Sequence, residues 1–548
     1  MADGVLTISG DRGNDIVNIS TRDDGNIQVS ANNGRLFRTF DGEAVTKIFI
    51  NLGDGSNRLN VDMSESDDSD AENMGFGENP SILVVAGSGA DRITVNLGKN
   101  ASGGGGGSED DNGRGDVSLS FDLGGGNDFL QVIGEGDFGG TFTLNVLGGD
   151  GNDRVDFDFA SDLNDDVKIN VDLGSGNDTY QFSTDGDVNG EWNSTLMGGS
   201  GNDSLTLEVS GTMSQKSSTN VSLGSGNDNF LMSVADNVSG PFDINVNGGT
   251  GDDRSGISLN GEIMQALRVT SDMGIGNDTF VLGMDDNTSG HVKIGLMMGD
   301  GNDSVSLIMD ADHGSDVSIG VDLGAGENTL NLISGNISGD LDLGITGVNG
   351  QNNNMVAFKG DVNGDAVITV NMGMGSNKLG VNVSGDLNGS VDLSVLGGTG
   401  SDNATVVVGG AINGSSVMKF DLGRGNDAVD LSIHGDMAND LALTMIMGTG
   451  NDKASLKFMG EIGGLFDVAI LLGEGNDNLV FGLTGNVSED NNATVDFDGG
   501  SGEDAAMFTF GEDELDDIFL RVDNFEVVSG LPGFDLAPMA TSTRRRTQ

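Results

Sequence analysis

Asn152–Gly176 reads NDRVDFDFASDLNDDVKINVDLGSG, and two apolar alternations inside it decide the fold. Val155, Phe157 and Phe159 alternate with Arg154, Asp156 and Asp158; Val167, Ile169 and Val171 alternate with Lys168, Asn170 and Asp172. A two-residue apolar period marks a half-buried strand. A polar turn, SDLNDD, separates the two strands, and Gly174-Ser175-Gly176 closes the unit. The next 25 residues repeat the scheme, with Tyr180 and Phe182 on the first strand and GDVNG at Gly186–Gly190 as the turn.

The closing phrase, Gly-x-Gly-Asn-Asp, sets the period. Its first glycine recurs every 25 residues from Gly124 to Gly324. One residue is then lost, so Val348 takes the glycine's place; the beat resumes at Gly373 and runs to Gly473, and a two-residue stretch puts the last at Gly500. A short period held this long marks a solenoid, each repeat one coil stacked on the next. Helical periodicity is missing from the repeats. The expected fold is all-β, a parallel β-solenoid of the right-handed β-helix type, with about 18 coils of 25 residues each. Each coil has two main strands and a short third one at the mid-coil turn, where the apolar residue of GDFGG (from Gly136), GDVNG (from Gly360) or GEIGG (from Gly460) points inward.

The chain reads as one long domain. Residues 1–116 form amino-terminal coils interrupted by acidic or glycine-rich insertions, SESDDSDAENMGFGENP (64–80) and GKNASGGGGGSEDDNGRG (98–115). Residues 117–510 are the regular solenoid, 511–530 a carboxy-terminal cap over the last open edge, and 531–548 a disordered tail.

Composition narrows the function. Asp plus Glu number 86 against 25 Lys plus Arg, a net charge of −61, which repels nucleic acid and anionic lipid and favours cations. Cysteine is absent, so disulfides are excluded. No apolar run is long enough for a membrane span, and Met1–Gly10 lacks the regions of a classical signal peptide.

A stacked coil turns one residue into a column. Asp128, Asp153, Asp178, Asp203, Asp228, Asp253, Asp278 and Asp303 occupy one place on consecutive coils; Asp402, Asp427, Asp452, Asp477 and Asp504 resume it after Asn328, Asn352 and Asn377. Two unit charges one strand spacing apart repel by ~0.9 kcal/mol in water and ~3.5 kcal/mol at an effective dielectric of 20. The chain must therefore splay these carboxylates into solvent, protonate some, give them backbone amides, or set cations between them. Calcium suits the last option, because it accepts six to eight oxygens from carboxylates and carbonyls. These thirteen aspartates are thus candidate calcium ligands in two columns, separated at the asparagines by neutral amide bonds. The same phrase also reads as a plain turn, with Asn127, Asn152, Asn177, Asn202 and Asn227 stacked as an amide ladder.

GGDGNDRVD (148–156) and GGSGNDSLT (198–206) resemble the repeats-in-toxin nonapeptide, G-G-x-G-x-D-x-U-x with U apolar. GGTGDDRSG at Gly248 and GGTGSDNAT at Gly397 keep the glycines and aspartate but have Ser255 and Ala404 at the apolar place; LGSGNDTYQ at Leu173 and LGRGNDAVD at Leu422 lack the first glycine. The resemblance implies a calcium-binding parallel β-roll whose folding is coupled to export. One motif per 25 residues restricts calcium to one edge.

His291, His313 and His434 fall at different places in their coils and read as surface residues; Trp192 and Tyr180 read as core. The expected function is that of a non-enzymatic, calcium-stabilised structural or adhesion element, secreted or on the cell surface. Its expected partners are calcium, cell-surface polysaccharide or other copies of itself. A polysaccharide-modifying β-helix lyase or epimerase, and an acidic structural protein of a halophile without specific calcium sites, remain as alternatives.

Overall fold

The computed structural model describes residues 4–22, 24–32, 34–42, 44–63, 81–98, 116–488, 493–511, 518–530 and the backbone of 543–544. Where the sequence reads as one long domain, the chain divides into two compact units, Met1–Gly274 and Ile275–Gln548. Each is a parallel β-solenoid, and about 16 turns hold the regular length of about 25 residues.

In the first unit, strand Phe142–Asp150 pairs in parallel with Val167–Ser175, Phe142 opposite Val167. Strand Arg154–Phe159 pairs with Thr179–Thr184, Arg154 opposite Thr179. Each partner lies one repeat along the chain, so identical places align from coil to coil. The third side is reduced to one residue per coil: Phe138, Leu163, Val188, Met213, Val238 and Ile263 bridge in succession. The expected short strand is this single inward bridge.

Alternation fixes what goes inside. Val155, Phe157 and Phe159 are buried while Arg154 and Asp158 face out. Phe138, Phe142 and Phe159 meet edge to face with centroids 5.0–5.6 Å apart, a favoured aromatic geometry. Trp192 packs against Phe182 at 5.4 Å, and its indole N–H reaches Ser194 Oγ and Thr219 Oγ1. Trp192 and Tyr180 are core, as expected. His313 is not a surface residue: it occupies the inward bridge place and is fully buried. Its Nε2 donates to the Met309 carbonyl at 3.1 Å, and its Nδ1 lies 2.9 Å from Thr288 Oγ1. Both ring nitrogens are thereby satisfied, and burial lowers the imidazole pKa, so the ring sits neutral. His291 and His434 are exposed.

The second unit shows where the lost residue went. Met309 pairs with Ser334 at the full offset, but His313 bridges Ile337 one residue short. The deletion therefore lies in the mid-coil turn, and Val348 remains in register with Gly324. The two-residue insertion falls between Val487, bridged to Ile462, and Thr494, paired with Asp467.

The ends differ from expectation. Ile16–Thr21 pairs antiparallel with Ile27–Ala31, which pairs antiparallel with Leu36–Phe40, an amino-terminal hairpin without a sequence motif. Ile518–Asp523 and Val527–Ser529 add a further coil to Ala493–Asp498 and Ala505–Phe510. Thr543–Arg544, within the stretch expected to be disordered, pair antiparallel with Val522 and Arg521. Residues 64–80 and 99–115, read as insertions, lie outside the described residues.

The corners limit how the coils stack. Gly224 and Gly226 have φ of +106° and +130°, and a Cβ on Gly226 would overlap the carbonyl oxygen of Gly201. By contrast, Gly320 has nothing within 4 Å of its Cβ direction. Gly226→Ala should therefore cost at least about 2 kcal/mol, and Gly320→Ala should change stability by no more than about 0.5 kcal/mol. Urea denaturation of the two variants measures the difference.

Candidate functional site

The glycine corner delivers an aspartate at each turn, and the structure carries these residues inside. All thirteen candidate aspartates are buried, none more than 3% exposed. In the first unit the N–H of Asp128 donates to Asp153 Oδ1 at 2.8 Å, Asp153 to Asp178 at 2.6 Å, Asp178 to Asp203 at 2.8 Å, Asp203 to Asp228 at 2.7 Å and Asp228 to Asp253 at 2.9 Å. Each side chain reaches back to the preceding coil. In the second unit the same link joins Asp278 to Asp303 and runs through Asp402, Asp427, Asp452, Asp477 and Asp504. Of the four remedies for repulsion, donation of backbone amides is at work, and exposure to solvent is not.

The asparagines belong to the same column. Asp303 N–H donates to Asn328 Oδ1, Asn328 to Asn352, Asn352 to Asn377 and Asn377 to Asp402. The neutral amide bridge expected there exists, but it has the same form as on the aspartate rungs.

A second, exposed ladder runs beside it in the opposite sense. Asn152 N–H donates to Asn127 Oδ1 at 2.9 Å, and Asn177, Asn202 and Asn227 continue it at 2.7–2.8 Å. These side chains reach forward to the following coil. Further ladders line the mid-coil turn: Asp187 N–H donates to Asp162 Oδ1 and Thr212 N–H to Asp187 Oδ1; Asp365 N–H donates to Asp340 Oδ1 and Ser390 N–H to Asp365 Oδ1.

Sequence reasoning missed several members. Asp15, Asn57 and Asp91 extend the inner column toward the amino terminus, since Asp15 N–H donates to Asn57 Oδ1, Asn57 to Asp91 and Asp91 to Asp128. Their signal was present in GDRGND, GDGSN and GSGAD. Glu526, which accepts the N–H of Asp504 through Oε2 at 2.6 Å, closes the other end and stands in no motif. The mid-coil ladders had a trace in the recurrent Gly-Asp of the turns.

Electrostatics follow from burial. Desolvation pushes Asp128, Asp178 and Asp427 up to about 7, with neighbouring column carboxylates adding to the rise. It pushes Asp153, Asp228, Asp303 and Asp452 up to about 6. Asp91, Asp203, Asp402, Asp477 and Asp504 move the same way for the same cause. The amide donated from the adjacent coil opposes the rise and is outweighed. The Oδ2 atoms of Asp128, Asp153, Asp178, Asp203, Asp228, Asp303, Asp402, Asp427, Asp452, Asp477 and Asp504 are buried without a hydrogen-bond partner.

This donor set is a poor match for calcium, which takes six to eight oxygens. Each coil offers one column carboxylate; its Oδ1 already binds an N–H and its Oδ2 is shielded from solvent. Among the described residues no three carboxylate or imidazole groups converge on a point. Asparagine serves in the same hydrogen-bonded column without a charge for the ion. The thirteen aspartates are brought together in columns, but as links between coils.

No protein-family model matches this chain, and neither curated proteins nor solved structures give a match. Asp178→Ala should cost about 1–3 kcal/mol, because it leaves the buried N–H of Asp153 without an acceptor. Asp178→Asn, which keeps that acceptor, should stay within about 1 kcal/mol of the parent in urea denaturation at neutral pH.

Proposed function

We propose that this chain is a non-enzymatic structural element of the cell surface or extracellular matrix, serving as a scaffold for adhesion or coating. One observation carries the reading: the same side-chain ladders recur coil after coil, so surface chemistry is spread periodically and not gathered at one place. The buried His313, bonded to Thr288 and Met309, supports it, since that imidazole serves the core. The net charge of −61, which favours divalent counter-ions, supports an extracellular setting.

On this reading calcium acts as a counter-ion for outward carboxylates such as Asp340 and Asp365, which sit in an exposed ladder. Such an acidic face suits bridging through divalent ions to anionic cell-surface polysaccharide or to further copies of the chain.

The exposed Lys359, Lys378 and Lys453 allow a direct test. A membrane-impermeant amine reagent applied to intact producing cells should label the protein. Labelling only after lysis would overturn the extracellular assignment.

A further inference from the structure

We infer that the column aspartates from Asp128 to Asp228, Asp303, and those from Asp402 to Asp504 are a row of proton sites, each a neutral carboxylic acid whose Oδ2–H donates to a nearby backbone carbonyl, where the motif's resemblance implies calcium. The inference is independent of where the chain works.

The asparagine rungs show what the place requires. Asn328 Nδ2 donates to the Leu323 carbonyl at 2.8 Å, and Asn352 Nδ2 lies 3.4 Å from the Met372 carbonyl. Beside Asn352, the amide nitrogen and the Met372 oxygen both lie against the Cβ direction of Gly347. Aspartate rungs preceded by glycine build the cradle of Asn352 with one atom changed. At Gly198 the two neighbours are Asp203 Oδ2 and the Leu223 carbonyl oxygen; at Gly397 they are Asp402 Oδ2 and the Leu422 carbonyl; at Gly499, Asp504 Oδ2 and the Asn524 carbonyl. Asparagine fills the place with a donor facing an acceptor. An ionised aspartate would set two acceptors together, out of water, with no hydrogen between them. A proton on Oδ2 restores the bond that asparagine makes, and it needs no space beyond what the amide hydrogen uses.

The charges around the column agree. The titratable groups facing each member are the members above and below, Asp178 and Asp228 for Asp203 and Asp402 and Asp452 for Asp427. Asp300 also faces Asp303, while Asp498 and Glu526 face Asp504. No ion pair from Lys, Arg or His reaches Asp128, Asp153, Asp178, Asp203, Asp228, Asp402, Asp427, Asp452 or Asp477 among the described residues. The carboxylates named here favour the protonated form, and Arg154 and Lys453, next in sequence to Asp153 and Asp452, point outward, Arg154 pairing with Asp156. Protonation also removes the column's self-repulsion.

The consequence is a fold that tightens as acidity rises. Burial pushes Asp178 and Asp427 up to about 7 and Asp228 and Asp452 up to about 6 in the folded chain, against an ordinary value of 3.8. Between those limits the folded state binds more protons than the unfolded one, so stability falls as pH rises through that window. Below the ordinary value the contribution is complete, and above the folded values it is gone.

Infrared spectroscopy of the full chain in D2O reads the proton directly. At about pH 6 the spectrum should contain the carbonyl band of protonated carboxylic acids, at a pH where exposed carboxylates are ionised. The band should weaken in a chain carrying Asp128→Asn, Asp153→Asn, Asp178→Asn, Asp203→Asn and Asp228→Asn, and its absence from the parent overturns the inference. The parent's Tm should fall by several degrees between about pH 5 and about pH 8, and the fivefold variant's by less; equal falls count against the column. If the fivefold chain does not fold, Asp203→Asn alone serves for the comparison, and the parent spectrum still decides. In the alkaline sample, any rise in Tm that calcium chloride gives beyond sodium chloride of matched ionic strength should be the same in the parent and the fivefold variant. A calcium-specific rise, reversed by EGTA, that the parent shows and the variant lacks would return the column to the metal.

Discussion

Close stacking of one glycine corner on the next is the constraint from which the other features follow. At the corner the chain takes positive φ at both glycines, as at Gly149 (+100°) and Gly151 (+135°), and each presses against a carbonyl of the coil before it. No L side chain fits there without displacing backbone. Only because the corners approach so closely can a two-carbon aspartate side chain reach the N–H of the neighbouring coil. The same approach shuts water away from its second oxygen.

Burial then sets a conflict that the corner must resolve. A carboxylate in water is comfortable, and a column of them facing solvent would repel only mildly. Taken inside, each oxygen must find a partner or surrender its charge. At Asp203 one oxygen has a partner of good geometry, the amide of the adjacent coil, and the other lies beside the Leu223 carbonyl. Asn328, Asn352 and Asn377 are the chain's own neutral substitutes at this place, and they leave the amide link intact. Aspartate and asparagine are alternates for one mechanical task.

The coil was legible because period and alternation are strong signals: Val155, Phe157 and Phe159 announced an inward face, and their partners lie one repeat away. The column was legible as a column. Its burial was not, because Gly-x-Gly-Asn-Asp does not tell which side of the corner the last residue takes; that depends on how tightly coils stack. His313 misled for a related reason. Its place in the coil is the apolar bridge position, filled elsewhere by Leu163, Val188 or Ile337, and polarity alone pointed outward. Thr288 beneath it supplied the partner that made burial tolerable. The amino-terminal hairpin and Glu526 escaped notice because each occurs once, and a repeat-based reading sees only what recurs.

The opposed senses of the two ladders bear on how such a chain can change length. The inner side chains reach back one coil and the outer ones forward, so each interior coil gives and receives in both directions. Duplicating or excising a whole repeat leaves every donor matched to an acceptor, and gene-level copying of complete units meets no chemical obstacle. Partial units are another matter. The single-residue loss sits between Ser334 and Ile337 and the two-residue gain between Val487 and Thr494, both in mid-coil turns and neither at a glycine corner. Reading frame is rigid where side chains stitch the layers and elastic where the chain merely turns round.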